Sequence, residues 1–289
     1  MRIFITGGGG LLGSRLAERA LEEGHYVFSG YNNSIPMRGE PIKLEMAVDN
    51  SIYKAMDQAQ PEIVFHTAAL TDVDRCETEK DLACCINARG TKVLAEAARK
   101  MGAFLVYIST DYVFDGKQGL YKEEDAPNPI NHYGHTKLLG EKYADCVART
   151  CVIYGSKPAS GKINFALWIL ENLHKGEEIR IVTDQYVSPT LNTNLAVMLL
   201  GAGERKLEGT IHLAGATRIS RYDFARRLAD VFELDSSLII EAKMNDMNWK
   251  ARRPMDSSMD ISKAKRFFKD TDMPWDIDRS LKTLKEEIS

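Results

Sequence analysis

Apolar residues along the first half of the chain follow two rhythms in turn. Arg2 to Thr6 is a short, mostly apolar run that reads as a buried strand. After a glycine turn comes LLGSRLAERALEEG, in which Leu12, Leu16, Ala20 and Leu21 share one helical face and Gly24 supplies a C-terminal cap. Tyr26 to Ser29, Glu62 to His66 and Phe104 to Ser109 repeat the strand signature. Between them, Ser51 to Ala59 and Ala88 to Met101 have helical spacing, the second closed by Gly102. Strand alternating with helix predicts a parallel sheet covered by helices, so the expected class is α/β, a Rossmann-type doubly wound sheet.

Arg149 to Tyr154 reads as another strand, and beyond it the rhythm gives way to longer irregular pieces carrying Pro158, Gly161, Pro189, Pro254 and Pro274. The division is placed there: residues 1–152 as a dinucleotide-binding domain and 153–289 as a smaller C-terminal substrate-binding domain. Within the second, 183–216 reads as a segment returning to the first, with Gly209 to Leu213 as a strand of the main sheet. Tyr222 to Phe232 and Ile277 to Ile288 read as amphipathic helices.

Composition narrows the picture. Hydrophobic residues at 44% beside charged residues at 27% exclude a disordered or fibrous chain. A net charge of −3 with dispersed basic residues excludes the broad positive field of a nucleic-acid binder, so an anionic ligand must be held locally. The five cysteines form no C-x-x-C pair and have no zinc-site spacing, which predicts free thiols, a reducing compartment and no metal. No apolar stretch approaches the roughly 18 residues of a membrane span, and no secretion signal is visible. The expectation is a cytoplasmic protein without membrane or nucleic-acid partners.

Gly7, Gly10 and Gly13 stand between the first strand and the first helix, with Leu11 and Leu12 opening that helix. Glycines there permit a tight turn and let a pyrophosphate approach backbone N–H groups at the positive end of the helix. The second strand runs into SGYNNS without the Asp or Glu that binds an adenine ribose 2′-hydroxyl. Asn32, Asn33 and Ser34, with Arg38, could instead receive a 2′-phosphate, which favours NADPH and leaves NADH open.

In HYGHTK, Tyr133 and Lys137 are four residues apart and would share a helical face. An ammonium beside a phenol favours its ionised form, drawing a group of pKa about 10 toward neutral proton exchange. Ser109 and Thr110 end a strand at the carboxyl edge of the sheet, where a hydroxyl can orient a carbonyl.

Together these residues resemble the extended short-chain dehydrogenases/reductases and, within them, the dTDP-4-dehydrorhamnose reductase family. The resemblance spans nearly the whole chain: TGGGGLLG (6–13), HTAALTDVDRCE (66–77), INARGT (86–91), ISTDYVFDG (108–116), YGHTKLLGE (133–141), TDQYVSPT (183–190) and RRPMDSSMD (252–260). It implies reduction of a keto group on a nucleotide-linked sugar. Tyr133 would be the proton donor, Lys137 would hold the nicotinamide ribose, and Thr110 would fill the Ser/Thr position. Ala68, Ala69 and Leu70 would line the cofactor near its nicotinamide half, with Glu45 and Met46 near adenine. Thr71, Asp111 and Val113 would meet the substrate, and Arg252 and Arg253 either grip its diphosphate or are simply solvated.

Some positions read otherwise. Val152 stands where bacterial members carry a Trp beside the sugar, and Trp168 reads as packing. His66 reads as structural, Asp111 and Asp115 as partners of loop amides, and Asp184 and Gln185 as pocket neighbours or loop caps. Asn87 either supports a relay water or starts a helix. The same motifs also resemble the regulatory beta subunit of methionine adenosyltransferase, a reading under which a catalytic synthetase would be the partner. The reductase reading admits a homodimer, and a third reading keeps the fold but reduces or epimerises another nucleotide sugar.

Overall fold

The strand rhythm of the N-terminal half resolves into one parallel sheet in a computed structural model that describes residues 1–157, 163–269 and 273–289. Pro158 and Gly161 lie outside the described residues. In chain order come β1 (Arg2–Thr6), α1 (Leu11–Glu22), β2 (Tyr26–Tyr31), β3 (Glu40–Lys43), α2 (Asp49–Ala59) and β4 (Ile63–His66). There follow α3 (Val73–Thr78), α4 (Lys80–Cys84), a π-helical run Cys85–Gly90, α5 (Thr91–Met101), β5 (Phe104–Thr110) and α6 (His132–Glu141). Next are β6 (Cys146–Thr150), β7 (Ile153–Tyr154), α7 (Phe165–His174), β8 (Ile179–Val182), β9 (Tyr186–Val187), β10 (Thr190–Leu191) and α8 (Asn192–Glu204). The chain closes with β11 (Gly209–His212), β12 (Ile219–Ser220), α9 (Arg221–Val231), β13 (Ile239–Ala242), α10 (Ser262–Phe267) and α11 (Ile277–Ile288). No helix among the described residues is long and apolar enough to cross a membrane.

Seven strands lie in the order β3-β2-β1-β4-β5-β6-β11, every pair parallel. The chain winds outward from β1 in one direction and resumes from β4 in the other, which leaves a crevice at the carboxyl ends of β1 and β4. Side chains of β1 alternate between two cores. Ile3 and Ile5 pack with Leu16, Leu195 and Leu199, from α1 and α8. Phe4 packs on the opposite face with Ile52, Met56 and Leu94, from α2 and α5. All three β1 residues are fully buried, and each contributes about 1.5–3 kcal/mol by leaving water.

Residues 209–212 pair with β6 at the sheet edge, as the GTIHL pattern predicts. A separate core gathers α7, α9, α11 and β8 around Tyr154, Phe224 and Leu281, and β8 pairs in parallel with β13. Trp168 belongs there, stacked on Phe165 with centroids 6.2 Å apart.

Three elements differ from expectation. Leu21 is exposed, and Gly13 and Ala17 complete the buried face of α1 instead. The helix expected from Ala88 begins regular winding only at Thr91, because the preceding turn is π-helical. The strand expected over Arg149 to Tyr154 breaks at Cys151 and Val152, where Val152 takes a left-handed φ of 40°. The chain thereby leaves the main sheet, and Ile153 and Tyr154 pair with β10.

Candidate active site

The glycine corner is shaped by close approach. Gly7 has φ of 70°, and a Cβ on Gly13 would collide with the Gly7 carbonyl oxygen, so α1 starts almost in contact with the end of β1. Thr67 Oγ1 donates to Thr6 O at 2.6 Å and Ala68 N donates to Thr6 Oγ1 at 3.1 Å, which fixes the Ala68–Leu70 strip beside the corner. Beneath it the fully buried His66 lies between the Thr6 and Thr91 hydroxyls, at 2.7 and 2.9 Å. Burial holds its imidazole down to about 3, with the Lys137 charge adding to the effect, so it is a neutral structural residue.

Tyr133 and Lys137 sit one turn apart on α6, which Asn131 caps by accepting from Gly134 N at 2.9 Å. A Cβ on Gly134 would overlap the Tyr112 carbonyl oxygen, so this glycine lets the helix approach the end of β5, where Thr110 lies. The far end of α6 is anchored by Glu141, whose carboxylate takes Ser109 Oγ at 2.5 Å and the buried Arg149 guanidinium at 2.8 Å. Ser109 is thus committed to structure. Thr110 is the strand-end hydroxyl beside the phenol, and it donates to Asp111 Oδ1 at 3.0 Å while accepting from Tyr112 N at 3.2 Å.

Asn87 lies inside the π-helical run rather than at a helix start, and it is buried. Its Oδ1 accepts from Leu70 N at 2.8 Å, and its Nδ2 donates to Leu70 O and Thr136 Oγ1, both at 3.1 Å. It ties the strip after β4 to the dyad helix.

The electrostatics correct one expectation. Burial pushes the Tyr133 phenol above its ordinary value, and a hydrogen bond with Thr110 opposes that rise without overcoming it. Lys137 lies 4.1 Å from the Tyr107 ring centroid, and burial draws its ammonium down to about 7 against an opposing pull from Glu141. The phenol therefore holds its proton at neutral pH, the state required of a donor. Asp111 is pushed up by burial, while hydrogen bonds from Ser257, Cys151 and Thr110 restrain it; Ser257 Oγ is 2.5 Å and Cys151 Sγ 3.1 Å from Oδ2.

One cleft of about 870 Å³ runs over these parts. Gly7, Gly10, Leu11, Leu12 and Gly13 line one end with Asn32, Asn33, Ser34, Glu45 and Met46. Ala68, Ala69, Leu70 and Thr71 line the middle, and Thr110, Asp111, Tyr133 and Lys137 the other end. An elongated groove with a glycine cradle at one end and a dyad at the other fits a dinucleotide.

Three expected substrate contacts are not brought to it. Val113 is fully buried in an apolar cluster with Phe114 and Met259. Arg253 pairs with Asp74 at 3.0 Å and lies over the Trp249 ring, while Arg252 is exposed and its carbonyl accepts from Asn131 Nδ2 at 2.9 Å. Arg38 is exposed and turned toward Glu18 at 3.4 Å. Asp115 accepts from the Tyr121 hydroxyl, Asn128 Nδ2 and the Lys117 amide. Asp184 accepts from Met244 N and Gln185 donates to Pro254 O, so both tie loops together.

Sequence reasoning missed Lys43, Asn164 and Arg221. Lys43 Nζ reaches the Asn32 carbonyl beside the glycine end, while Asn164 and Arg221 line the far wall. Ser220 and Asn164 are recognisable as helix caps, but nothing in the sequence says that those helices open onto this cleft.

The model of the RmlD substrate binding domain matches residues 1–286. The chain belongs to the RmlD family of reductases. It is similar to a probable low-salt glycan biosynthesis reductase, Agl14, of Haloferax volcanii, 31% identical over 91% of this chain and 90% of that protein. It is also similar to the methionine adenosyltransferase 2 subunit beta of Bos taurus, 30% identical over 91% of this chain and 81% of that one. Among solved structures, the dTDP-4-dehydrorhamnose reductase of Bacillus anthracis in complex with NADP superposes with a TM-score of 0.88, at 30% identity over 99% of both chains.

Proposed function

We propose that the protein is an NAD(P)H-dependent reductase that converts the 4-keto group of dTDP-4-dehydro-L-rhamnose to the hydroxyl of dTDP-L-rhamnose. The observation that carries this reading is the convergence of Tyr133, Lys137 and Thr110 on the wall of the cleft that begins at the glycine corner. When bound, the nicotinamide cofactor supplies a hydride. The chain supplies position and a proton. Gly10 and Gly13 let α1 start against the end of β1, where its N-terminal N–H groups would meet a pyrophosphate, and Lys137 would hold the nicotinamide ribose.

Tyr133, whose phenol keeps its proton at neutral pH, donates that proton to the C4 oxygen as the carbon accepts the hydride pair. The C=O π bond breaks to leave a C–O single bond, the hydride forming the new C–H and the phenol's proton the new O–H, and the phenolate is reprotonated from solvent. Thr110 orients the carbonyl, its hydroxyl held by Asp111 and the Tyr112 amide. NADPH is the preferred cofactor in this reading: the end of β2 carries no carboxylate, and Lys43 stands beside Asn32.

The test is consumption of NADPH or NADH with dTDP-4-dehydro-L-rhamnose, with the product identified. Turnover to dTDP-L-rhamnose is expected. No consumption of either cofactor, together with stable association with a methionine adenosyltransferase catalytic chain, would replace the enzyme reading with the regulatory one. Turnover only of other keto sugars would keep the chemistry and change the substrate.

A further inference from the structure

The far wall of the cleft is formed where two helices begin. Asn164 caps α7 and Arg221 is the first residue of α9, and both line the cavity that holds the dyad. The Arg221 guanidinium lies 4.8 Å from the Phe165 ring centroid, which seats it between the two N-termini. Its Nε is buried and has no hydrogen-bond partner among the described residues. A buried donor left unpaired costs on the order of 1–3 kcal/mol, a cost removed when a ligand supplies the acceptor.

The surroundings select the ligand's charge. Among the described residues, three cationic side chains line the cleft: Lys137 belongs to the dyad, Arg75 is closed by Glu79 at 2.8 and 2.9 Å, and Arg221 is the third. Arg221 forms no ion pair among the described residues. The nearby carboxylate Asp111 is occupied by Thr110, Cys151 and Ser257. A guanidinium fork flanked by two helix N-termini is complementary to a multiply charged anion with several oxygens. The RRP arginines do not supply this, since neither lines the cleft.

We propose that Arg221 grips the diphosphate of a nucleotide-sugar substrate at the N-termini of α7 and α9. This deepens the reductase reading and rests on it. With the diphosphate held there, the sugar lies between Arg221 and Tyr133, and binding energy remote from the reacting carbon positions C4 against the phenol. Val152, strained at φ of 40° and lining the same wall, shapes the space between them.

The test is calorimetric titration of the NADPH-saturated full chain with dTDP, UDP and, as the phosphate-free control, thymidine. Wild type is expected to bind a nucleoside diphosphate, and Arg221→Met to weaken that binding by about 10- to 100-fold. Arg221→Lys, which keeps the charge and loses the fork, should lose less. NADPH affinity should stay within about twofold of wild type in both variants, as expected for a residue on the substrate side. Unchanged diphosphate affinity in Arg221→Met would remove Arg221 from the site and leave the reductase reading standing. An equal loss for thymidine would mean that shape rather than phosphate is read, and would also overturn the proposal. If Arg221→Met loses NADPH binding, Arg221→Lys decides, with wild-type diphosphate affinity counting against the fork. Wild type that binds neither diphosphate would reject the nucleotide-sugar substrate itself, with Arg221's role alongside it.

Discussion

The two ends of the cleft are made of different materials. The glycine end is backbone: Gly7, Gly10 and Gly13 set a turn whose shape follows from the absence of side chains, and Ala68 and Ala69 continue it. The far end is side chain: a half-buried phenol, a buried carboxylate, an arginine whose Nε has no partner among the described residues and a valine in a left-handed conformation. A backbone surface can be shared by any chain that must bind a dinucleotide, because it recognises what all dinucleotides have in common. A side-chain surface costs stability in strain and desolvation, and it carries chemistry and selectivity. Changes at the two ends should therefore fail in different ways.

The largest separation is expected from Tyr133→Phe. Removing only the hydroxyl should lower kcat by about 10²- to 10⁴-fold while NADPH binds as before, measured by steady-state kinetics and fluorescence titration. Retained turnover would remove Tyr133 as the acid. Lys137→Met, at the same end, should alter the pH dependence of stability. Because burial draws the Lys137 ammonium down to about 7, the folded protein releases this proton well before the unfolded chain, whose lysines titrate near 10.4. The stability associated with neutral Lys137 is present above the unfolded value and is lost as pH falls through about 7. Wild type should thus gain on Lys137→Met as pH rises from 7 to 9.5, by up to about 1.4 kcal/mol per pH unit. Parallel curves from urea denaturation would show that Lys137 keeps its ordinary pKa.

Gly13→Ala breaks the comparison from the backbone side. Its Cβ would meet the Gly7 carbonyl, so a loss of about 1–3 kcal/mol in stability is expected from overpacking, accompanied by weaker NADPH binding. Wild-type affinity for NADPH in this variant would mean that the corner is not the cofactor's seat. The smallest effect belongs to Val152→Gly. Relief of a left-handed β-branched residue returns roughly 1–2 kcal/mol, against glycine entropy of about 0.5–1 kcal/mol and a little lost packing. The melting temperature should hold within a few degrees, whereas a large drop would assign Val152 to the core rather than to a strained wall.

This division also explains what could be read from the chain. Strands β1, β4 and β5 and the glycine corner were legible because local rules decide them: short apolar runs, a glycine triplet and a helix behind it. Tyr133 and Lys137 were legible because their spacing places them on one helix. Strand β6 ended early because Val152 adopts a conformation that its own side chain disfavours, imposed by tertiary pairing of Ile153 with Thr190. The rise in the Tyr133 pKa could not be foreseen from spacing, since it depends on how deeply the phenol is enclosed. Arg221 was invisible for the same reason: in sequence it is one basic residue after a serine cap, and only the meeting of α7 and α9 at the cleft gives it a role. Conversely, Arg252 and Arg253 drew attention as a pair, yet one is exposed and the other is engaged by Asp74.

The most direct measurement is a crystal structure of the protein with NADPH bound. The account predicts the pyrophosphate against the backbone of Gly10 to Gly13, the adenosine 2′-phosphate near Asn32 and Lys43, and the nicotinamide ring facing Tyr133 with its ribose at Lys137. A nicotinamide lying away from residue 133, or NADPH bound elsewhere with the cleft vacant, would contradict it.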